Sequence, residues 1–145
     1  MNGNTYNNCM KPVRFACFDI GSNAVRFVIA EFTSRDTFEL LYRKREPIRL
    51  VTSGNPHAPL DHDLMEHIRQ FFLDQCSLFS YYQVQAYRAV ATSAVRESQN
   101  GKAFCEWIEQ ETSCKLEIIS EEEEARLVYE AVRQRTKLEE GFGRE

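Results

Sequence analysis

A short polar turn between two apolar segments contains the first residues that could do chemistry. Gly21-Ser22-Asn23 separates Phe15–Ile20 from Ala24–Phe32, and both flanking segments have the composition of β-strands. Such a turn presents consecutive backbone N–H groups that can hold an anion, and Asp19 beside it can hold Mg²⁺. Because a carboxylate repels an anion unless a cation stands between them, the combination indicates metal-phosphate chemistry. A plain hairpin whose turn is capped by Asp19 is the alternative.

A second polar group follows the apolar segment Val84–Ala91. Thr92, Ser93 and Arg96 leave the end of this predicted strand together. The planar guanidinium of arginine matches phosphate oxygens with two parallel hydrogen bonds, and hydroxyls add further donors. A helix cap followed by a solvated arginine explains the same residues without any ligand.

A run of four glutamates begins directly after Ser120. Ser120 and Glu123 have the spacing of a capping box, so a helix is expected to begin here, and acidic residues in its first turn favour the helix dipole. Glu124 lies at the edge of the apolar stripe of this helix, where a carboxylate can act as a general base. Spacing alone does not separate Glu124 from its neighbours. The stripe expected to face the sheet consists of Ala125, Val128, Tyr129 and Val132.

The elements that would position these groups follow the order β-β-β-α-β-α-β-α. The predicted strands are Phe15–Ile20, Ala24–Phe32, Thr37–Val51, Val84–Ala91 and Lys115–Ile119, and the predicted helices are Asp61–Tyr82, Lys102–Thr112 and Glu121 to about Arg135. Asp61 is the expected N-cap of the first helix, and Thr92–Asn100 is expected to be a polar loop. This order predicts an α/β fold with a mixed five-stranded sheet and helices on its faces. Ligands of such sheets bind at the carboxyl ends of strands, where all three polar groups fall.

Length and composition indicate one globular lobe. The chain has 145 residues, 43% of them hydrophobic, and a net charge of −4 without any basic block, so nucleic acid is not an expected partner. No apolar run has the length of a membrane span, and the first ten residues do not resemble a signal peptide. We expect a cytoplasmic protein with a disordered tail at 1–12, a lobe at 13–135, and a tail or the start of another lobe at 136–145.

The cysteines are odd in number and scattered, and none forms a C-x-x-C pair. This pattern argues against a zinc site or a disulfide framework and favours buried thiols in a reducing compartment. The five are Cys9, Cys17, Cys76, Cys105 and Cys114.

Three segments together resemble the successive motifs of the exopolyphosphatase and guanosine pentaphosphate phosphohydrolase (Ppx/GppA) family. They are DIGSNAVRFVIAEF from Asp19, ATSAVRESQNGKAF from Ala91 and LEIISEEEEARLVYEAV from Leu116, in the family's order and spacing. The resemblance implies a ribonuclease-H-like lobe of the actin-like ATPase superfamily, with the active site between two lobes. It also implies Mg²⁺-assisted hydrolysis of a phosphoanhydride in inorganic polyphosphate or guanosine pentaphosphate.

Carried over by position, the resemblance assigns roles to individual residues. It places Asp19 at the metal, Gly21, Ser22 and Asn23 on the first phosphate loop, Arg96 on a phosphate-clamping arginine beside Thr92 and Ser93, and Glu124 on the base that activates water.

Two departures from the family pattern bear on activity. Glu121 stands where the family usually has glycine, which adds negative charge near a polyanion site. The family's second phosphate loop, D-x-G-G-G-S, does not occur, so we expect the first lobe only, completed by a second lobe or a second copy. A non-catalytic module that binds phosphate, nucleotide or protein is the alternative; a sugar-kinase-like lobe is disfavoured by the second and third motifs.

Overall fold

The structure, a computed structural model, describes residues 11–142, with only the backbone described for 134–142. Residues 1–10 and 143–145, which contain most of the predicted tails, lie outside the described residues. The strands are β1 Val13–Ile20, β2 Ala24–Phe32, β3 Phe38–Pro47, β4 Ala86–Ala91 and β5 Leu116–Ile118. The helices are α1 His62–Cys76, α2 Phe79–Tyr82, α3 Ser93–Glu97, α4 Gly101–Thr112 and α5 Glu121–Phe142.

The five strands form one mixed sheet with the order β3-β2-β1-β4-β5, which confirms the predicted architecture. β1, β2 and β3 pair antiparallel, whereas β1 pairs parallel with β4, and β4 with β5. Ile20, Ala91 and Ile118 lie side by side because each ends its strand in register with its neighbour. The three polar groups that follow these residues therefore leave the same edge of the sheet.

One face of the sheet is covered by helices and contains the core. Alternate residues of β1 and β2 point into this core, and α1 and α4 supply the opposing side chains. Phe18 is at its centre, stacked on Phe72 with ring centroids 4.2 Å apart and tilted against Phe27 at 4.6 Å. Each of these rings is fully buried and contributes about 2–3 kcal/mol of hydrophobic stabilisation.

The other face of the sheet is largely open, and the side chains of α5 are exposed. Cys17 alternates with the core residues of β1 and is half-buried. Arg26 alternates with those of β2 and is exposed. The α5 stripe predicted to face the sheet is instead exposed, which corrects that expectation. Ala125 is exposed, and Leu127, Val128, Tyr129 and Val132 expose between 40% and 65% of their surface. Helical periodicity predicts that these residues share a face but not what covers it.

Several element boundaries differ from the prediction. The structure has two helices where one was expected over Asp61–Tyr82. α1 stops at Cys76, and the one-turn α2 is ended by Gln83, whose backbone lies in the left-handed region with φ 54°. The loop expected after β4 contains α3. Asp61 caps α1 as predicted, accepting a hydrogen bond from the Asp63 N–H at 2.8 Å.

The third strand and the last helix also differ from the prediction. The register of β2 and β3 skips Leu41, and this bulge puts Phe38 and Leu40 on the exposed side, out of phase with Tyr42. β3 stops at Pro47 instead of Val51, because proline cannot donate to the ladder. α5 continues past Arg135 to Phe142. Among residues 11–142, no helix is both long and apolar enough to cross a membrane.

Candidate functional site

A cavity of about 380 Å³ lies at the edge of the sheet where β1, β4 and β5 end. Seven of the eight residues predicted from the sequence line it, and the eighth, Arg96, lies next to it. The seven are Asp19, Gly21, Ser22, Asn23, Thr92, Ser93 and Glu124. Side chains separated by up to 105 positions are therefore brought together by the parallel register of three strands.

The turn after β1 is closed by its own backbone. The Gly21 N–H donates to the Ala24 carbonyl at 3.0 Å, and the Leu50 N–H donates to the Ser22 carbonyl at 3.0 Å. Gly21 does not adopt a left-handed φ. Within residues 11–142, the N–H groups of Ser22 and Asn23 make no backbone hydrogen bond, so these two N–H groups are the ones available to an anion.

The segment after β4 is tied to that turn by hydroxyl groups. The Thr92 hydroxyl and N–H both donate to the Ile20 carbonyl, at 3.2 and 3.1 Å. Because of these bonds the Thr92 hydroxyl does not cap α3. The Ser22 and Ser93 hydroxyl oxygens are 3.1 Å apart and share one hydrogen bond. One hydroxyl proton and several oxygen lone pairs of this serine pair stay available to hydrogen-bond a ligand in the cavity.

Asp19 and Glu124 contribute two carboxylates to the same cavity. Burial raises the pKa of Asp19 above its usual value, Arg26 opposes this rise, and Glu124 adds to it. Arg26 also lines the cavity, and the sequence analysis missed it. It is the direct cross-strand partner of Asp19 in the β1–β2 hairpin. Counting outward from the Gly21–Ala24 turn gives this pairing, so the signal was present in the sequence.

Arg96 lies beside the cavity, held by a carbonyl and three carboxylates. Its guanidinium donates to the Ile119 carbonyl at 2.7 Å, and Glu97, Glu121 and Glu124 carboxylate oxygens lie 3.8, 3.7 and 3.9 Å from its nitrogens. The Arg96 side chain is 19% exposed. It therefore fixes the start of α5 and neutralises the carboxylates, and a phosphate would compete with those carboxylates for it.

The four successive glutamates have different surroundings. The Glu123 N–H donates to the Ser120 hydroxyl at 3.1 Å, whereas the Glu123 carboxylate accepts from Arg88 at 2.7 Å. The capping box is therefore only half formed, because the arginine takes the carboxylate. Glu121 is 80% exposed and Glu122 is exposed. Glu124 is the one of the four that lines the cavity.

The donor set of the cavity fits a magnesium ion. Asp19 is a carboxylate whose ionised form is disfavoured by burial and by the Glu124 charge, and a divalent cation would relieve both effects. Mg²⁺ is usually held by one or two carboxylates together with waters and substrate phosphates. Within residues 11–142, no group of three or more His, Cys, Asp or Glu side chains is arranged to hold a metal ion. The cavity therefore suits a metal that is shared with a phosphate ligand.

A larger cavity, of about 560 Å³, lies elsewhere, between α1 and α4. Met65, Phe104 and Trp107 line it together with Arg69, whose guanidinium is 2.9 Å from the Glu66 carboxylate. None of the predicted site residues contributes to it.

Fold and site together define an α/β lobe whose strand-end loops form a polar cavity. The model of the Ppx/GppA phosphatase family matches residues 28–143, and the chain belongs to this family.

Solved structures agree with this membership. The Aquifex aeolicus Ppx/GppA family member is 28% identical with a TM-score of 0.76, and the match covers 86% of this chain and 40% of that one. An exopolyphosphatase-like protein is 25% identical with a TM-score of 0.70, covering 80% and 35%. An exopolyphosphatase from Cytophaga hutchinsonii, at 22% identity and a TM-score of 0.76, covers 83% and 38% and shows the same fold. The matched regions span well under half of these longer chains.

Proposed function

We propose that this chain is the amino-terminal lobe of a phosphoanhydride hydrolase that releases the terminal phosphate of inorganic polyphosphate or of guanosine pentaphosphate with the help of Mg²⁺. The observation that carries the proposal is the meeting of Asp19, Glu124 and the turn Gly21-Ser22-Asn23 in one cavity. A phosphatase of this family requires an anion site, a metal ligand and a base within reach of each other. In this proposal the turn is the anion site, Asp19 the metal ligand and Glu124 the base.

The binding groups act by positioning and by charge neutralisation. The free N–H groups of Ser22 and Asn23 and the hydroxyl of Ser93 would hold oxygens of the terminal phosphate. Arg26 and Arg96 supply positive charge on two sides of these groups. The dispersal of charge over several donors matches phosphoryl transfer, whose transition state spreads charge over the phosphate oxygens.

Asp19 is the residue that would hold the metal, and the metal would neutralise phosphate charge next to a carboxylate. Glu124 would take the proton of the attacking water, because it is the glutamate of its cluster that lines the cavity. Its carboxylate lies 3.9 Å from an Arg96 guanidinium nitrogen, the distance of an ion pair and not of a hydrogen bond. The leaving group is the chain shortened by one phosphate.

The lobe alone forms one wall of this site. A second lobe or a second copy of the chain would supply the opposite wall, excluding water and adding donors. The alternative is a non-catalytic binding or interaction module, and the exposed apolar residues Leu127, Val128 and Tyr129 beside the cavity favour it. We place either form in the cytoplasm, where both candidate substrates would be met.

The test is phosphate release from polyphosphate with Mg²⁺, measured across a range of protein concentrations. We expect little or no release at low concentration, where the lobe stands alone. Any release that appears at high concentration, where a second copy can supply the other wall, should fall at least about 100-fold in Glu124→Gln, the usual size for loss of a general base. Glu122→Gln is the matched control, because it removes an exposed neighbouring charge. Release that is equal in the two variants would overturn the role of Glu124. Absence of release together with tight tripolyphosphate binding would favour the non-catalytic alternative.

A further inference from the structure

Two cysteines that are far apart in the sequence are in contact in the fold. The sulfur atoms of Cys76 and Cys114 are 2.8 Å apart, and both cysteines are free thiols. Cys76 is the last residue of α1, and Cys114 follows the end of α4 and precedes β5. Packing of α1 against α4 therefore brings together the ends of two elements that the sequence separates by 38 residues.

The two thiols differ in reactivity. The Cys76 and Cys114 thiols share one hydrogen bond, in which either sulfur can donate. When Cys76 donates, this bond lowers the pKa of Cys114; burial opposes the lowering and the Thr112 hydroxyl supports it. The same bond raises the pKa of Cys76. By contrast, burial raises the pKa of Cys105 to about 11, and burial raises that of Cys17. In this contact the thiolate is favoured at Cys114, which is 4% exposed, while its partner Cys76 is half-buried.

We propose that Cys76 and Cys114 form a reversible intramolecular disulfide when the protein meets a peroxide. The Cys114 thiolate attacks one peroxide oxygen, the O–O bond breaks, and Cys114 becomes a sulfenic acid with release of hydroxide. The Cys76 sulfur then attacks the Cys114 sulfur, the S–S bond forms, and the sulfenic oxygen leaves as water. In total two thiols lose two electrons and two protons, and hydrogen peroxide is reduced to two waters. A small-molecule thiol reverses the step by exchange.

The bond would act on stability and not on the phosphate cavity. Cys114 precedes the start of β5, whereas the cavity lies where β5 ends, so the pair is at the opposite edge of the sheet. The closed loop contains α2, β4, α3 and α4, and closing it restricts the unfolded chain. The disulfide would therefore tie the end of α1 to the segment before β5 without contacting the cavity residues.

The experiment is oxidation of the reduced chain by hydrogen peroxide, followed by peptide mapping by mass spectrometry without reduction. We expect a cross-linked peptide pair containing Cys76 and Cys114, lighter by two hydrogens than the separate peptides. We also expect a Tm higher by about 5–10 °C than that of the reduced chain, reversed by dithiothreitol. Mapping of the unmutated chain needs no variant, so a folding defect cannot obscure the result.

Matched variants sharpen the test. Cys76→Ser and Cys114→Ser should lose both the cross-link and the Tm shift, whereas Cys17→Ser and Cys105→Ser should keep them. A cross-link that involves Cys9 or joins two chains, or oxidation that stops at sulfinic acid on separate cysteines, would overturn the proposal. Affinity for tripolyphosphate should be the same in oxidised and reduced protein, so this result is independent of the proposed function.

Discussion

The two faces of the sheet differ in how complete they are. On one face Phe18, Phe27 and Phe72 form a buried aromatic cluster beneath α1 and α4. On the other face the same strands present Asp19 and Arg26 to an open cavity, and α5 extends beside it with exposed apolar side chains. Adjacent residues of β1 thus serve opposite purposes, because successive side chains of a strand point to opposite faces.

The residues that stabilise the fold therefore lie on one face of the sheet, and the polar residues of the cavity lie on the other. The helix-covered face buries enough apolar surface to hold the lobe together, and its aromatic cluster does not line the strand-end cavity. The open face carries the polar groups, and part of its charge is unfavourable for the isolated lobe, as the raised pKa of Asp19 indicates. Substitutions on the two faces should therefore change different measured quantities.

The largest effect is expected from the aromatic cluster. Phe72→Ala removes a fully buried ring stacked on Phe18 and should lower the free energy of unfolding by about 3–5 kcal/mol in chemical denaturation. Tyr129→Ala, which truncates an equally large but 65% exposed ring on α5, should change it by less than about 0.5 kcal/mol. A comparable loss in both variants would mean that the α5 face is packed in the isolated chain.

A smaller effect is expected at the start of α5. Arg96→Ala leaves the Ile119 carbonyl and three nearby carboxylates without their partner and should cost about 1–2 kcal/mol, measured by thermal denaturation. It should also weaken tripolyphosphate binding. Arg126→Ala is the control, since the Arg126 guanidinium is exposed and makes a weak ion pair, 3.9 Å from the Glu123 carboxylate. Equal stability of the two variants would show that Arg96 does not hold the helix.

Asp19→Asn should stabilise the lobe slightly while it weakens Mg²⁺-dependent binding. A carboxyl group whose pKa is raised in the folded state binds more protons there than in the unfolded state, so its ionisation costs stability as pH rises. This cost grows as the pH rises from the unfolded-state pKa through the raised folded-state pKa, and asparagine removes it, so the variant should have the higher Tm at pH 7.

The advantage should shrink with falling pH and vanish near pH 3, about one unit below the ordinary aspartate pKa of about 3.9, where the aspartate is protonated in both states. Tm values of both proteins between pH 3 and 8, without metal, measure this. A variant that is less stable than the unmutated chain at pH 7 would contradict the unfavourable placement of the Asp19 charge.

The smallest effect is expected at Glu121. Its carboxylate is 80% exposed and 3.7 Å from Arg96, so Glu121→Gly should raise tripolyphosphate affinity less than about threefold. Glu122→Gly, an exposed position in the same turn, controls for the cost of glycine in a helix. A tenfold gain confined to Glu121→Gly, in isothermal titration calorimetry, would show that Glu121 faces the bound phosphate.

Local pattern predicted the features that depend on neighbouring residues. The sheet, the Asp61 cap and the convergence of strand-end loops follow from alternation, capping chemistry and parallel register. Arg26 was not predicted, because it lies within β2 and the predicted site residues were those that follow strand ends. The register of the hairpin nevertheless pairs Arg26 with Asp19.

Features that depend on packing between distant segments were beyond the sequence. Periodicity could not show that the Val128 and Tyr129 face of α5 stays exposed, nor could spacing show that Cys76 meets Cys114. Arg96 was expected in the cavity, but its position depends on how β5 leads into α5.

The central claim is that the open face is a metal-dependent phosphate site. The most direct measurement is an NMR titration of the ¹⁵N-labelled chain with tripolyphosphate, with and without Mg²⁺, in the unmutated protein and in Asp19→Asn. We predict that Mg²⁺-dependent amide shifts centre on Ser22, Asn23 and Ser93 and are lost in Asp19→Asn. Shifts that do not depend on Mg²⁺, or that map to the α1–α4 cavity around Arg69, would contradict the claim.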